Sequence, residues 1–242
     1  MDKIPGRNPV LEALRAGRPM DKLLIAGQRG LEPIISLAKK AGIPMERVDK
    51  AQLDRLVPGI NHQGVVALIP ERDYASLEDI FARAAERAEA PFVLLLDGLQ
   101  DPQNLGSILR SAEAGGVHGI IIPKHRAVGL TTGAVKAAAG AAEYVPVVQV
   151  TNLVRTMEEL KGRGLWLAGA EADGELLYFQ ADLKGPLGLV IGGEGKGLSR
   201  LVRENCDFTL RLPLQGALNS LNAGVAAGIL IFEVVRQKYA CD

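Results

Sequence analysis

Three polar, glycine-bearing segments hold the residues of this chain best suited to chemistry. They are DGLQDPQNLGSILRSAEAGG (Asp97 to Gly116), IGGEGKGLSRLVRENCD (Ile191 to Asp207) and NSLNAGVAAGILIFEVV (Asn219 to Val235). The Ile191 segment has the glycine content of a nucleotide loop, but it fails both phosphate fingerprints. A P-loop needs Gly-Lys followed by Ser or Thr, and here Lys196 is followed by Gly197; a dinucleotide fingerprint starting at Gly193 would need Gly where Leu198 stands. There is no GxSxG elbow of a hydrolase either. What remains is a loop whose glycines let backbone amides and carbonyls face a ligand edge at close range. In the Asn219 segment Ala223, Gly224, Ala226, Ala227 and Gly228 admit another backbone closely, although each helical Gly costs about 1 kcal/mol relative to Ala. A tightly packed core helix explains that stripe as well as a ligand pocket does. Cys206 and Cys241 have no CxxC spacing, and His62, His118 and His125 share no metal-ligand spacing, so no metal site is expected.

The elements that must position these loops follow from punctuation. From Pro91 onward, FVLLL, GIII, VPVVQV, LWLAGA, LGLVI and FTLRL are near-continuous apolar runs alternating with helical stretches. Strands without polar alternation are covered on both faces, which predicts a parallel α/β sheet over residues 91–242. Ligands of such sheets bind beyond the carboxyl ends of the strands, where all three polar loops fall. Residues 1–70 read as a separate small αβαβαβ domain. Its first helix is capped by Asn8 with Pro9 at the first helical position and closed by Gly17, Asp49 caps a later one, and GVVALI is its last strand. Residues 71–90 read as a linker that becomes a surface helix, with Ser76 and Asp79 at capping-box spacing.

Net charge is zero, which excludes a generally basic nucleic-acid binder, but residues 1–70 hold eleven Lys/Arg against seven Asp/Glu. A basic excess of that size suits an RNA-docking module and equally an ordinary solvated surface. No apolar run reaches the length of a membrane span and MDKIPGRNPV lacks a signal-peptide apolar region, so a cytoplasmic protein without a membrane partner is expected.

The succession NxGxxxR (Asn104, Gly106, Arg110), IGGEGxG (Ile191 to Gly197) and LPLxGxxxSLN (Leu212 to Asn222) resembles the three motifs of the SpoU (TrmH-type) branch of SPOUT methyltransferases. GRNPVLEAL and NHQGVVA (Asn61 to Ala67) look like the substrate-binding domain of bacterial rRNA methylases of that family, so the resemblance spans nearly the whole chain. It implies a deep trefoil knot at the C-terminal end of the sheet, a rare exception to the rules of chain connection. It further implies S-adenosylmethionine as cofactor, met largely through backbone atoms at Gly192, Leu212 and Leu221, with Ala170 and Glu171 bordering the pocket. The reaction implied is methyl transfer to a ribose 2′-hydroxyl. Arg110 is the implied essential residue, in a constellation with Asn104 and Glu194, while Ser220 and Asn222 contact the target nucleotide. Bland roles stand beside these: Asn104 as a helix N-cap, Glu194 exposed in a Gly loop, Ser220 and Asn222 capping the last helix.

The substrate implied is a guanosine of large-subunit (23S) rRNA, free or in a ribosomal precursor, with a homodimer paired through the knotted domain. Arg7, Asn8, His62 and Gln63 are candidate RNA contacts by motif position. A tRNA or another rRNA nucleotide is the alternative substrate, and a non-catalytic rRNA-binding or assembly factor the alternative of another class. Retention of Asn104, Arg110, Glu194 and Asn222 argues against the last.

Overall fold

The computed structural model describes residues 2–27, 29–69, 74–195, 197–216 and 220–239. Pro70, Lys196, Asn219 and Cys241, and residues 71–73 of the expected linker, lie outside the described residues.

The N-terminal part is built on a four-stranded sheet in the order β1-β4-β2-β3. Its strands are β1 (Asp2–Pro5), β2 (Lys22–Ile25), β3 (Met45–Arg47) and β4 (Val65–Ile69), with helices α1 (Arg7–Arg15), α2 (Glu32–Lys40) and α3 (Lys50–Leu56) between them. Two expectations are corrected here. The unit opens on a strand: β1 pairs antiparallel with β4, burying Ile4, and a single apolar residue inward is too short a pattern to read. Asn8 is not the N-cap either. Gly6, at φ 99°, takes that place, so Asn8 and Pro9 fall inside the first turn, where a missing N–H costs no intrahelical bond. Asp49 caps α3 as expected, accepting from the Gln52 N–H at 2.6 Å.

Helix α4 (Leu77–Glu86) carries the capping box, with Ser76 and Asp79 each bonding the other's backbone. The larger sheet follows, in the order β7-β6-β5-β10-β8-β11-β9 and parallel throughout. Its strands are β5 (Phe92–Asp97), β6 (Gly119–Pro123), β7 (Val147–Val150), β8 (Trp166–Ala170), β9 (Leu176–Leu177), β10 (Leu187–Gly192) and β11 (Phe208–Arg211). Along β5, Phe92, Leu94 and Leu96 enter the core on one face and Val93 and Leu95 that on the other, the double burial read from the apolar runs. One face is covered by α5 (Pro102–Ala114), α6 (Thr132–Ala137) and α9 (Ala223–Tyr239); the other by α4, α7 (Leu153–Gly162) and α8 (Arg200–Glu204). Trp166 departs from the reading: it stands 61% exposed at the start of β8. The edge strand β9, two residues long, has no counterpart among the expected elements.

The two parts pack together. Val135 of α6 belongs to the N-terminal apolar cluster. Beside it a nearly buried Arg18–Glu143 ion pair spans 2.8 Å and the Tyr144 hydroxyl donates to Glu12 Oε2 at 2.7 Å.

Candidate active site

Strand β10 enters the sheet beside β5, and their last residues, Gly192 and Asp97, are register partners. At that point the strand order reverses, with β6 and β7 on one side and β8 and β11 on the other. This is where an open parallel sheet forms its crevice. It brings the Asp97 and Ile191 loops together across a long stretch of chain. Asp97 ties them: its carbonyl accepts the Gly193 N–H at 2.8 Å and its Oδ2 the Ser199 N–H at 2.7 Å. From the end of β8, Glu171 Oε1 accepts the Leu198 N–H at 2.6 Å.

The glycines have a more immediate reason than access for a ligand. A Cβ on Gly192 would lie 2.3 Å from the Gly197 carbonyl carbon, and one on Gly193 would lie 2.5 Å from the Gly98 oxygen. They let the loop fold onto itself and onto the β5–α5 turn. The small residues of α9 likewise serve helix packing. Gly224 lies over Ser107 and Gly228 over Ser111, both on α5.

Three of the five expected catalytic residues form one chain of hydrogen bonds. Asn222 Oδ1 accepts the Gly224 and Val225 N–H groups at 3.0 and 3.2 Å, capping α9. Its Nδ2 therefore faces outward and donates to Asn104 Oδ1 at 2.8 Å, and Asn104 Nδ2 donates to Glu194 Oε1 at 2.5 Å. Backbone donors at one end and a carboxylate acceptor at the other set the orientation of both amides. The chain clamps α5, the glycine loop and α9 to one another. Asn222 thus combines the capping role with the constellation. Asn104 does not cap α5: Asp101 does, accepting from the Gln103 N–H at 2.9 Å, with Pro102 next.

Arg110 stands apart from this chain. Six residues along α5 from Asn104, it lies about 9 Å farther along the axis and about a third of a turn around it. It is exposed, its side chain makes no hydrogen bond or ion pair among the described residues, and it lines a cleft of about 830 Å³ with Asn8, Glu12, Ser107, Ser111 and Phe232. Ser220 is exposed and also without a hydrogen bond among the described residues. Ala170 packs at the edge of the main core, whereas Leu221 is exposed. Leu212, Leu214, Gln215, Gly216 and Leu221 offer main-chain groups that make no hydrogen bond among the described residues.

In the N-terminal part, the GRNP and NHQG motifs meet although 56 positions separate Arg7 from Gln63. The Arg7 N–H donates to Gln63 Oε1 at 3.1 Å, while its guanidinium reaches the carbonyls of Gln63 and Arg29 at 3.1 and 2.8 Å. His62 is buried, its ring between the Gly64 N–H at 3.0 Å and Asp54 at 3.1 Å, so it braces its loop. Asn8 faces the Arg110 cleft instead. Arg7, His62 and Gln63 line another cleft, of about 870 Å³, to which Arg29 and Lys50 add cations that no motif spacing signalled.

Burial pushes the Cys206 thiol up to about 12, so it stays protonated at neutral pH and is no nucleophile. Among the described residues no group of His, Cys, Asp or Glu is placed to hold a metal ion, and no helix is long and apolar enough to cross a membrane.

A doubly covered parallel sheet with polar glycine loops joined at its strand-order reversal defines an α/β domain with its ligand site at that crevice, and the chain belongs to the SpoU rRNA methylase family. The family model matches residues 91–232, and a further one, RNA 2′-O ribose methyltransferase substrate binding, matches residues 3–75. The chain is 50% identical over 98% of its length, and 96% of the relative's, to YacO of Bacillus subtilis (strain 168), a protein assigned to the TrmH family of tRNA/rRNA methyltransferases. The SpoU methyltransferase AviRb of Streptomyces viridochromogenes, solved in complex with AdoMet, superposes with a TM-score of 0.85 at 30% identity, over 98% of this chain and 90% of that one. An rRNA methyltransferase of Sinorhizobium meliloti gives a TM-score of 0.81 at 26% identity, over 97% and 86%. This protein is an RNA methyltransferase of the SpoU/TrmH class.

Proposed function

We propose that the protein methylates the ribose 2′-hydroxyl of a guanosine in large-subunit (23S) rRNA, as an RlmB-type enzyme acting in the cytoplasm with S-adenosylmethionine as cofactor. The observation that carries the reading is the Asn222–Asn104–Glu194 chain of hydrogen bonds, which locks all three family motifs into one arrangement at the strand-order reversal.

The residues fit the cofactor. The unspent main-chain groups of Leu212 to Gly216 and of Leu221 suit the polar edge of an adenine, and the exposed side chains of Leu214 and Leu221 suit its faces. Gly192 ends β10, which β8 separates from β11, the strand that runs on into Leu212, and Glu171 at the end of β8 holds the glycine loop through Leu198. The threading of this segment into a knot belongs to the same proposal. Bound there, S-adenosylmethionine supplies an electrophilic methyl group. The protein has to hold the ribose in line with it, and orientation of that kind lowers a barrier by about 7–11 kcal/mol in well-aligned cases. A guanidinium such as that of Arg110 is a poor base. We assign it to the phosphate beside the target ribose and to the alkoxide that develops as the hydroxyl loses its proton, with an RNA phosphate as proton acceptor. Ser220 and Asn222 border the nucleotide.

Arg110 and the Asn104 chain point from different sides of α5, which favours a site completed by another copy of the chain. Val225, Ile229 and Phe232 form one apolar face of α9 at 52%, 38% and 49% exposure, and Phe232 borders the Arg110 cleft. A homodimer covering that face brings one protomer's Arg110 toward the other's glycine loop. Sedimentation at micromolar concentration is expected to give a dimer that Ile229→Asp with Phe232→Asp dissociates; a wild-type monomer contradicts the arrangement.

The activity is tested by transfer of labelled methyl from S-adenosylmethionine to unmodified large-subunit rRNA and, in parallel, to tRNA, followed by nucleoside mass spectrometry. The expected product is 2′-O-methylguanosine in rRNA alone. Label in tRNA or on another nucleoside keeps the class and overturns the substrate. The absence of label in both, and in ribosomal precursor particles, points to a non-catalytic binding role.

A further inference from the structure

The loop from β6 to α6 carries Lys124, His125 and Arg126 in succession, and neither the catalytic reading nor the N-terminal cleft uses them. All three are exposed, and none of their side chains makes a hydrogen bond or ion pair among the described residues. The loop that presents them is nevertheless held in place. The Lys124 N–H donates to the Val150 carbonyl and the Val128 N–H to the Leu99 carbonyl, both at 2.7 Å, and the Tyr74 hydroxyl accepts the Leu130 N–H at 3.2 Å. Its middle lies against the catalytic loops. The Arg126 carbonyl oxygen is 4.0 Å from where a Cβ on Gly98 would stand, and the Gly98 carbonyl is 2.5 Å from where one on Gly193 would stand. The backbones of Arg126, Gly98 and Gly193 are therefore stacked in that order, and Glu194 follows directly.

Two features make an ordinary solvated surface a poor account of this strip. Arg126 adopts φ 60°, a left-handed conformation that a side chain disfavours and that Gly would adopt without strain, so a cation is kept where the backbone prefers none. Local acids do not compensate the charge. The segment from Pro123 to Thr131 has no Asp or Glu, and among the described residues no carboxylate forms an ion pair with Lys124, His125 or Arg126. Neighbouring cations on a held loop without a paired acid match a polyanion whose charges repeat along a strand.

We propose that Lys124, His125 and Arg126 grip the phosphate backbone of the RNA strand flanking the methylated nucleotide, a docking strip on the catalytic domain separate from the N-terminal cleft. The inference rests on the RNA-methyltransferase reading above. Lys124 and Arg126 supply the charge and His125 a ring N–H or acceptor between them.

The test uses the full chain, an unmodified large-subunit rRNA transcript and two variants, Arg126→Gly and Lys124→Ala with Arg126→Gly. Because Gly suits the left-handed position, the single variant is expected to unfold at a temperature no lower than wild type and to bind S-adenosylmethionine unchanged. The double variant is expected to bind the transcript about tenfold or more weakly, and its plot of log affinity against log salt should flatten by about 0.7 per lost contact to a single strand. Wild-type affinity and salt slope in the double variant, with a wild-type enzyme that binds and methylates the transcript, overturns the strip and leaves the enzymatic reading standing. A lowered unfolding temperature in Arg126→Gly together with lost S-adenosylmethionine binding assigns the loop a structural role and overturns it too. A wild-type chain that neither binds nor methylates rRNA or tRNA fails the reading beneath it.

Discussion

Arg110→Ala is expected to lower methyl transfer on the order of 10³-fold, about 4 kcal/mol of transition-state stabilisation, and to leave the folded protein and its cofactor affinity unchanged. The size follows from the charge that the reaction creates. As the 2′-hydroxyl gives up its proton, negative charge gathers on oxygen next to a phosphate, and a guanidinium meets both with a planar fork of donors. Stability is untouched because the side chain is exposed and bonds nothing among the described residues, so its loss stays within about 0.5 kcal/mol. Cofactor affinity is untouched because the adenine is assigned to main-chain groups of Leu212 to Gly216 and of Leu221, and Arg110 to the RNA. Arg110→Lys keeps the charge without the fork and should recover only part of the rate. Single-turnover kinetics with saturating cofactor, beside calorimetric titration of S-adenosylmethionine, separates these quantities. Wild-type turnover in Arg110→Ala sinks the assignment.

Much of the architecture could be read from the chain because burial writes itself into strands. The runs from Phe92 to Leu96 and Leu187 to Ile191 alternate between two cores in the structure, and only apolar side chains satisfy both. Ser76, Asp79 and Asp49 announced their helices because a cap is a local event in which a side chain meets a backbone N–H three residues away. Other features had no local signal. β1 buries Ile4 and depends on β4, which lies far along the chain. Gly6 took the capping place from Asn8 through a backbone angle that residue types alone do not display.

The site divides in the same way. Motif resemblance picked out Asn104, Glu194 and Asn222, yet only tertiary structure makes them a single hydrogen-bonded chain, and only helix geometry sets Arg110 apart from it. The glycines were read as openings for a ligand. Their nearest neighbours are the chain itself, because a loop that must lie on two others needs its own backbone thin before it can offer that backbone to anything else. His62 stood out as a possible contact and is buried as a brace, while Arg29, Lys50 and Arg126 belonged to no motif and are exposed at the surface.

Since close approach is what the glycines serve first, the other large effect is expected for Gly192→Ala. The new Cβ would lie 2.3 Å from the Gly197 carbonyl carbon, 2.4 Å from its oxygen and 2.7 Å from the Leu198 nitrogen, all backbone atoms that no rotamer change can move. β10 cannot yield, since β5 and β8 pair with it on either side. The displacement falls on residues 193–198, and with it goes the 2.6 Å bond from the Leu198 N–H to Glu171. Overpacking of this kind costs about 1–3 kcal/mol, or a fall in unfolding temperature of about 2–12 °C for a chain of this size. Function should suffer more, because a shift of about 1 Å in a positioning loop costs about 10²-fold. Methyl transfer is expected to fall by that order and S-adenosylmethionine affinity to fall with it, as read by single-turnover kinetics and calorimetric titration beside thermal unfolding. Gly195→Ala is the matched control: its φ of 76° makes a side chain unwelcome, but nothing lies within 4 Å of the new atom, so it should cost backbone strain without moving the loop. Undiminished affinity in Gly192→Ala, or an equal loss in Gly195→Ala, would show that contact between Gly192 and Gly197 is not what shapes the cofactor site.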